Sequence, residues 1–170
     1  MQIKVELSQD SVDKAIQKLE QYKSGLLEKE QILREEIAKV LESHAQSGFD
    51  SAIVSDLLNG RTEKANVTVS HTSSGNTTVV IAKGEDAVWV EFGAGVYHNG
   101  SVGQSPHEKG NEMGMTIGSY GHGLGRRDVW GYMDGGELIL THGTPMQSPM
   151  YEALMVVCSE LPKIVKGVYG

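Results

Sequence analysis

Residues 66–82, NVTVSHTSSGNTTVVIA, place two alternating, β-branched runs on either side of Ser73-Ser74-Gly75-Asn76. Such runs favour extended backbone and a short Gly/Asn turn folds them back, so the stretch predicts a β-hairpin. Hairpin strands pair antiparallel, which is not the parallel βαβ arrangement that nucleotide-binding folds require. Working outward, residues 128–143, DVWGYMDGGELILTHG, repeat the signal, with Asp134, Gly135 and Gly136 expected to supply positive φ at the turn. Between the hairpins, EDAVWVEFG (85–93) reads either as a strand by its Val-Trp-Val or as a short helix closed by Gly93; the short helix is favoured.

N-terminal to the first hairpin the period changes. QIKVEL (2–7) alternates as a short strand. Ser8 or Asp10 can cap a helix whose Val12, Ala15, Ile16, Leu19 and Tyr22 recur at helical spacing. Gly25 interrupts this pattern. Leu26, Leu33, Ile37, Val40, Leu41 and His44 then resume it, with Glu30/Arg34 and Glu35/Lys39 at i,i+4, as a second helix or a kinked continuation. The stripe suits either core packing or a partner helix, and the break at Gly25 favours the core. FDSAIVSDLLNG (49–60) predicts a further short helix ending at Asn59-Gly60. At the other end, Ser148 is expected to cap a helix with Pro149 at its first position, running to Pro162.

The order of elements predicts an α+β fold: an antiparallel sheet built from hairpins, with N-terminal helices and a C-terminal helix packed on it. One domain is expected, with strand and helices over 1–60, a sheet core with a glycine-rich arm over 61–147, and the last helix over 148–162. Of 21 glycines, 14 fall between Gly93 and Gly143. Residues 93–127 hold ten of them and no sustained period, which predicts a long loop or arm that needs a partner to order it.

The net charge of −7 and pI near 5.3 disfavour bulk binding to nucleic acid or to an anionic membrane. One cysteine excludes an intrachain disulfide, and Cys158, set among Met155, Val156, Val157 and Leu161, is expected to be a small buried hydrophobe. MQIKVELSQD (1–10) has no long apolar region and no cleavage site, so a soluble cytoplasmic product is expected. GSYGHGLGRR (118–127) invites a phosphate cradle, but it lacks GxxxxGK[ST] and a strand opening into a helix. His98, His107, His122 and His142 lack the short fixed spacings of metal ligands, and no GxSxG elbow marks a nucleophile. No catalytic residue, metal, cofactor or small-molecule substrate is therefore expected; a small metal-dependent hydrolase using those histidines is the competing reading.

WVEFGAG (89–95) and THGTPMQSPMYEAL (141–154), separated by a glycine-rich insert and a hairpin carrying Trp130 and Tyr132, together resemble the head–tail joining or tail-completion family of long-tailed bacteriophages. The resemblance covers about residues 60–160. Its motif residues here are Trp89, Glu91, Phe92, Gly93 and Gly95, then Thr141, Gly143, Pro145, Pro149, Met150 and Tyr151. Where the family commonly has Phe after the second proline, this chain has Met150-Tyr151. The resemblance implies a non-enzymatic virion protein at the neck or head-proximal tail end, forming a homo-oligomeric ring of six copies. Its partners would be other neck proteins and the tail tube or its terminator, with DNA passing through an acidic lumen without specific binding; a tail terminator is the nearest alternative. His98, Tyr120, His122, Arg126 and Arg127 are the candidate inter-subunit arm. Trp89, Phe92 and the Pro145–Tyr151 turn are expected to determine the fold by packing the last helix against the sheet.

Overall fold

The computed structural model describes residues 6, 8–56, 62–95, 112, 129–141, 143–144 and 146–170. The fold is α+β, as expected, but its described strands pair as four separate two-stranded antiparallel ladders rather than as one sheet. The predicted strand at 2–7 and nearly all of the glycine-rich loop lie outside the described residues.

Helix α1, Gln9–Ser51, is continuous for 43 residues, about 65 Å at 1.5 Å per residue. Ser8 caps it, accepting from the Ser11 amide at 3.4 Å, and Asp10 complements the first turn. Of the two readings open at Gly25, the helix continues rather than starting anew. A helical glycine costs only about 1 kcal/mol relative to alanine, and good helix formers follow it from Leu26 to Glu30. Arg34 pairs with Glu30 at 2.7 Å as expected; Lys39 instead takes Glu36 at 2.8 Å, leaving Glu35 for the hairpin.

Over the described part of the short helix expected at 49–60, residues 49–56, no separate helix forms, and its expected end at Asn59-Gly60 lies outside the described residues. Helix α1 carries through Phe49 to Ser51, and Ile53 and Val54 then extend as β1 (Ile53–Asp56) against β2 (Thr62–Lys64). The first predicted hairpin is β3 (Thr68–Ser74) and β4 (Thr77–Lys83), in register from Thr68↔Lys83 to Ser74↔Thr77 with Gly75 at φ +56 in the turn. EDAVWVEFG does form the short helix, α2 (Ala87–Phe92). It leads into β5 (Ala94–Gly95). The second hairpin is β6 (Trp130–Asp134) and β7 (Glu137–Thr141); Gly135 and Gly136 carry the positive φ, without Asp134. Strand β8 (Gly143–Thr144) pairs back on β5.

Helix α3, Pro149–Tyr169, continues past Pro162. Pro162 is exposed, so the bond it cannot donate is lost on the solvent side, while Ile164 and Val168 beyond it line the crevice against α1. Cys158 is exposed on this helix rather than buried. Pro149 abuts Gly48 and the Lys29 ammonium lies 5.5 Å from the Tyr169 ring centroid, so α3 runs antiparallel to α1 between those points. The first hairpin follows α1 over nearly the same span, from Val69 at Gln46 to the Gly75 carbonyl at Arg34. The core lies between them: Ala45, Phe49, Ala52, Val67, Val69, Ala87, Val90 and Ala153. No described helix is long and apolar enough to cross a membrane.

Candidate functional site

The two motif segments meet at the start of α3. Pro149 at the first helical position has no N–H, and the Glu152 amide already bonds to the Ser148 carbonyl at 2.9 Å. Two amides remain, those of Met150 and Tyr151. Both donate to Glu91, at 2.8 Å to Oε2 and 3.1 Å to Oε1. Glu91 thus supplies the cap that Ser148 was expected to provide. Ser148 sits in the left-handed region at φ 48 and its Oγ donates to the Glu91 carbonyl at 3.2 Å. A carboxylate at a helix N-terminus satisfies orphan donors and complements the helix dipole at once.

Gly93 is required at the same junction. Its φ is +73, and a Cβ there would stand 2.8 Å from the Met146 amide nitrogen. Gly95 pairs with Gly143 and Ala94 with Thr144. Thr141 is 1% exposed, and its Oγ1 accepts from the Gly143 amide at 2.9 Å. Gln147 fastens β1 to this junction: its side chain accepts from the Ile53 amide at 2.9 Å and donates to the Ile53 carbonyl at 2.7 Å, while its own amide donates to Val90 at 2.9 Å. Trp89 is 38% exposed, and Val90 beside it is the wholly buried residue. Phe92 is half-buried beside Met150 and Leu154 along an apolar groove of about 680 Å³. Trp130 and Tyr132 lie on β6. Pro145, His98, Tyr120, His122, Arg126 and Arg127 are outside the described residues, as are His107 and His142.

Two polar bridges were not singled out from sequence. Gln46 donates to the Val67 carbonyl at 3.0 Å and accepts from the Val69 amide at 2.7 Å, pinning β3 to α1. Further along, His71 on β3 lies between Glu42, at Nδ1, and Glu35, 3.2 Å from Nε2; Ser73 also donates to Glu35. The bond to Glu42 raises the His71 pKa above its ordinary value, desolvation opposing and Glu35 adding. The bond from Ser73 lowers Glu35 below its ordinary value, against desolvation and with help from His71. The only legible signal was the i,i+7 spacing of Glu35 and Glu42 on one helical face.

Among the described residues no group of three His, Cys, Asp or Glu can hold a metal ion. The arrangement at the motif junction is a fastening: it holds two distant chain segments to one helix end. No family model matches the chain, and no curated protein or solved structure matches it either.

Proposed function

We propose that the protein is a structural subunit of a tailed-phage particle, a head–tail joining or tail-completion protein that acts by packing against neighbouring subunits. The observation that carries this reading is the distribution of its exposed large apolar side chains. They do not gather around one concave site. Among them are Tyr151, Leu154, Met155, Leu161 and Val165 on α3, Met133, Leu138 and Leu140 on the second hairpin, Val79 and Ile81 on β4, and Val12, Ile16, Leu19 and Leu26 on α1. Exposed apolar side chains that recur along one element, as Leu154, Leu161 and Val165 do on α3 and Met133, Leu138 and Leu140 do on the hairpin, are the kind of surface that a protein partner covers. A ring built by heterologous contacts needs two different patches on each subunit, and these lie on different elements.

The second hairpin shows the point locally. Gly131 leaves room for Leu138 and Leu140 to fold across β6, since a Cβ there would come within 3.0 Å of both side chains. Yet Met133 and Leu138 stay 66% and 62% exposed. An isolated two-stranded hairpin is marginal in water, and a neighbour over this face would stabilise it. The resemblance of the two motifs supplies the kind of particle, and the uncovered faces supply the reason for assembly.

The test is negative-stain microscopy with mass determination, on the protein mixed with purified tails from the phage or prophage that encodes it. A ring or new density at the head-proximal end of the tail is expected. A last position on the tube in headless tails would make the protein a terminator rather than a joining protein. Failure to bind tails, together with stoichiometric zinc in the purified protein, would overturn the proposal in favour of a metal-dependent hydrolase.

A further inference from the structure

The first hairpin is attached to α1 in two different ways along its length. At its base Val67 and Val69 are buried in the core, and Gln46 bonds to the Val67 carbonyl and the Val69 amide. Beyond the Val69/Ala82 pair no residue of the hairpin is buried. The ties to α1 there are polar: His71 to Glu42 and Glu35, Ser73 to Glu35, and Arg34 to the Gly75 carbonyl at 3.4 Å. Val80, half-buried across the ladder from His71, is the outermost apolar contact with the core. Six residues from Val69 to Gly75, at about 3.3 Å each, make an arm of roughly 20 Å pivoting on that base.

His71 decides whether these ties hold. Both ring nitrogens face a carboxylate oxygen, Nδ1 that of Glu42 and Nε2 that of Glu35 at 3.2 Å. An ionised carboxylate only accepts, and a neutral imidazole has one N–H. Either neutral tautomer therefore leaves a ring lone pair against a carboxylate, whereas the imidazolium donates to both. Ser73 cannot stand in, because its one hydroxyl proton is already given to Glu35. The other charged groups on this side of α1 are Lys39, which holds Glu36 at 2.8 Å and acts on Glu35 through space, and Arg34, which holds Glu30 at 2.7 Å. On β4 the cross-strand partners Thr78, Val80 and Ala82 carry no charge.

We propose that the outer half of the first hairpin, residues 70–80, is a proton-operated flap, closed on α1 while both ring nitrogens of His71 carry a proton and lifted when one proton is lost. The sense follows from the two titrations. The bond to Glu42 raises the His71 pKa, so its contribution to closure is complete below the ordinary 6.5 and is lost as pH climbs through the folded value. The bond from Ser73 lowers Glu35, so acid opening begins only as pH falls through a value below the ordinary 4.5. Thr78 and Val80 line the apolar groove together with Ile37, Ala38 and Leu41 of α1. Lifting the flap draws them off α1, so the width of the groove follows the charge on one histidine. The device lies within a single chain and is independent of the assembly reading.

The test measures distances between spin labels on the full chain with Cys158→Ser as background, since that thiol is exposed. One label pair, Asn76→Cys with Gln31→Cys, joins the turn to α1; the other, Thr68→Cys with Ser43→Cys, joins the pinned base to it, and all four positions are exposed. From pH 5.5 to pH 9 the first distance should lengthen by about 5 Å, the result of a pivot of roughly 15° on that arm, while the second stays constant. The midpoint should match the NMR titration of the His71 ring. His71→Gln, which donates but cannot ionise, should abolish the pH dependence. Glu35→Gln should keep the flap closed at pH 9, because its amide oxygen accepts from Ser73 while its nitrogen donates to the bare ring nitrogen. A first distance that stays constant, one that still responds to pH in His71→Gln, a Glu35→Gln flap that opens as wild type does, or both distances lengthening together would each overturn the proposal.

Discussion

Replacing Glu91 by alanine should unfasten the start of α3. The side chain is half-buried and takes both leftover amides of the helix, those of Met150 and Tyr151. Losing a capping bond costs about 1 kcal/mol, and losing a negative charge at a helix N-terminus costs roughly 0.5–1 kcal/mol more. With two bonds and one charge removed, the expected loss is about 2–3 kcal/mol. In a protein of this size each kcal/mol moves the melting temperature by about 2–4 °C, so a drop of roughly 5–10 °C is expected. Glu91→Gln keeps an acceptor oxygen but not the charge and should lose about half as much. Urea unfolding read by circular dichroism is the assay: the midpoint should fall while the slope, which reports the surface exposed on unfolding, stays the same. A Glu91→Ala midpoint within about 0.5 kcal/mol of wild type would refute the reasoning, because the two amides would then be satisfied as well without the carboxylate.

The companion substitution Gly93→Ala forces φ +73 on a residue with a Cβ and drives that Cβ into Met146, so it should cost at least about 2–3 kcal/mol in the same assay. Trp89→Ala, at a 38% exposed position, should cost well under the 3–5 kcal/mol expected for Phe49→Ala in the core; equal losses would show that Trp89 is covered by something else. The His71 bridge should give the first hairpin a pH window. A raised His71 pKa contributes stability below its ordinary 6.5 that fades as pH climbs through the folded value; a lowered Glu35 pKa contributes above its ordinary 4.5 and fades as pH falls through its folded value. NMR titration of the His71 ring should therefore show an upward shift that Glu42→Gln reduces, and an unshifted His71 would remove the bridge from the account.

Legibility followed the range over which the deciding forces act. The first hairpin was readable because its signal is local: β-branched alternation and a Gly-Asn turn within 17 residues. Gly93 as the closing residue of α2 was readable for the same reason, positive φ being a backbone demand that one residue type meets. Gly25 left two readings open, and the helix continues because its local cost is small and the long helix around it outweighs it. Ile53 and Val54 misled, since the Ile53 peptide groups are held by Gln147, 94 residues away. Ser148 looked like a cap by type and place, whereas the capping side chain came from another segment. The burial of Val90 in place of Trp89 depends on which face of a six-residue helix meets α1 and α3, and six residues are too few to define an apolar face. The candidate arm residues, His98, Tyr120, His122, Arg126 and Arg127, fall outside the described residues, so that part of the sequence reading stands as proposed.

The order of the motif residues has a physical reason that neither segment reveals alone. The β5/β8 ladder has only two residue pairs, yet it closes a loop of the 47 residues from 96 to 142. By the logarithmic dependence on length, holding such ends together costs about 3–4 kcal/mol before anything is gained inside the loop. The backbone hydrogen bonds of a two-pair ladder net too little to offset that cost with margin. The residues just outside the ladder supply the remainder: Glu91 before it caps the helix that follows it, Gly93 admits Met146 against the backbone, and the Gln147 amide bonds back to Val90. Acid, aromatic and glycine must therefore precede the glycine-rich stretch, and the turn with its helix start must follow it, because together they close its base. The length between them is weakly constrained, since doubling it costs only about 0.6 kcal/mol. The junction can accordingly carry inserts of different length without altering the fold that holds them.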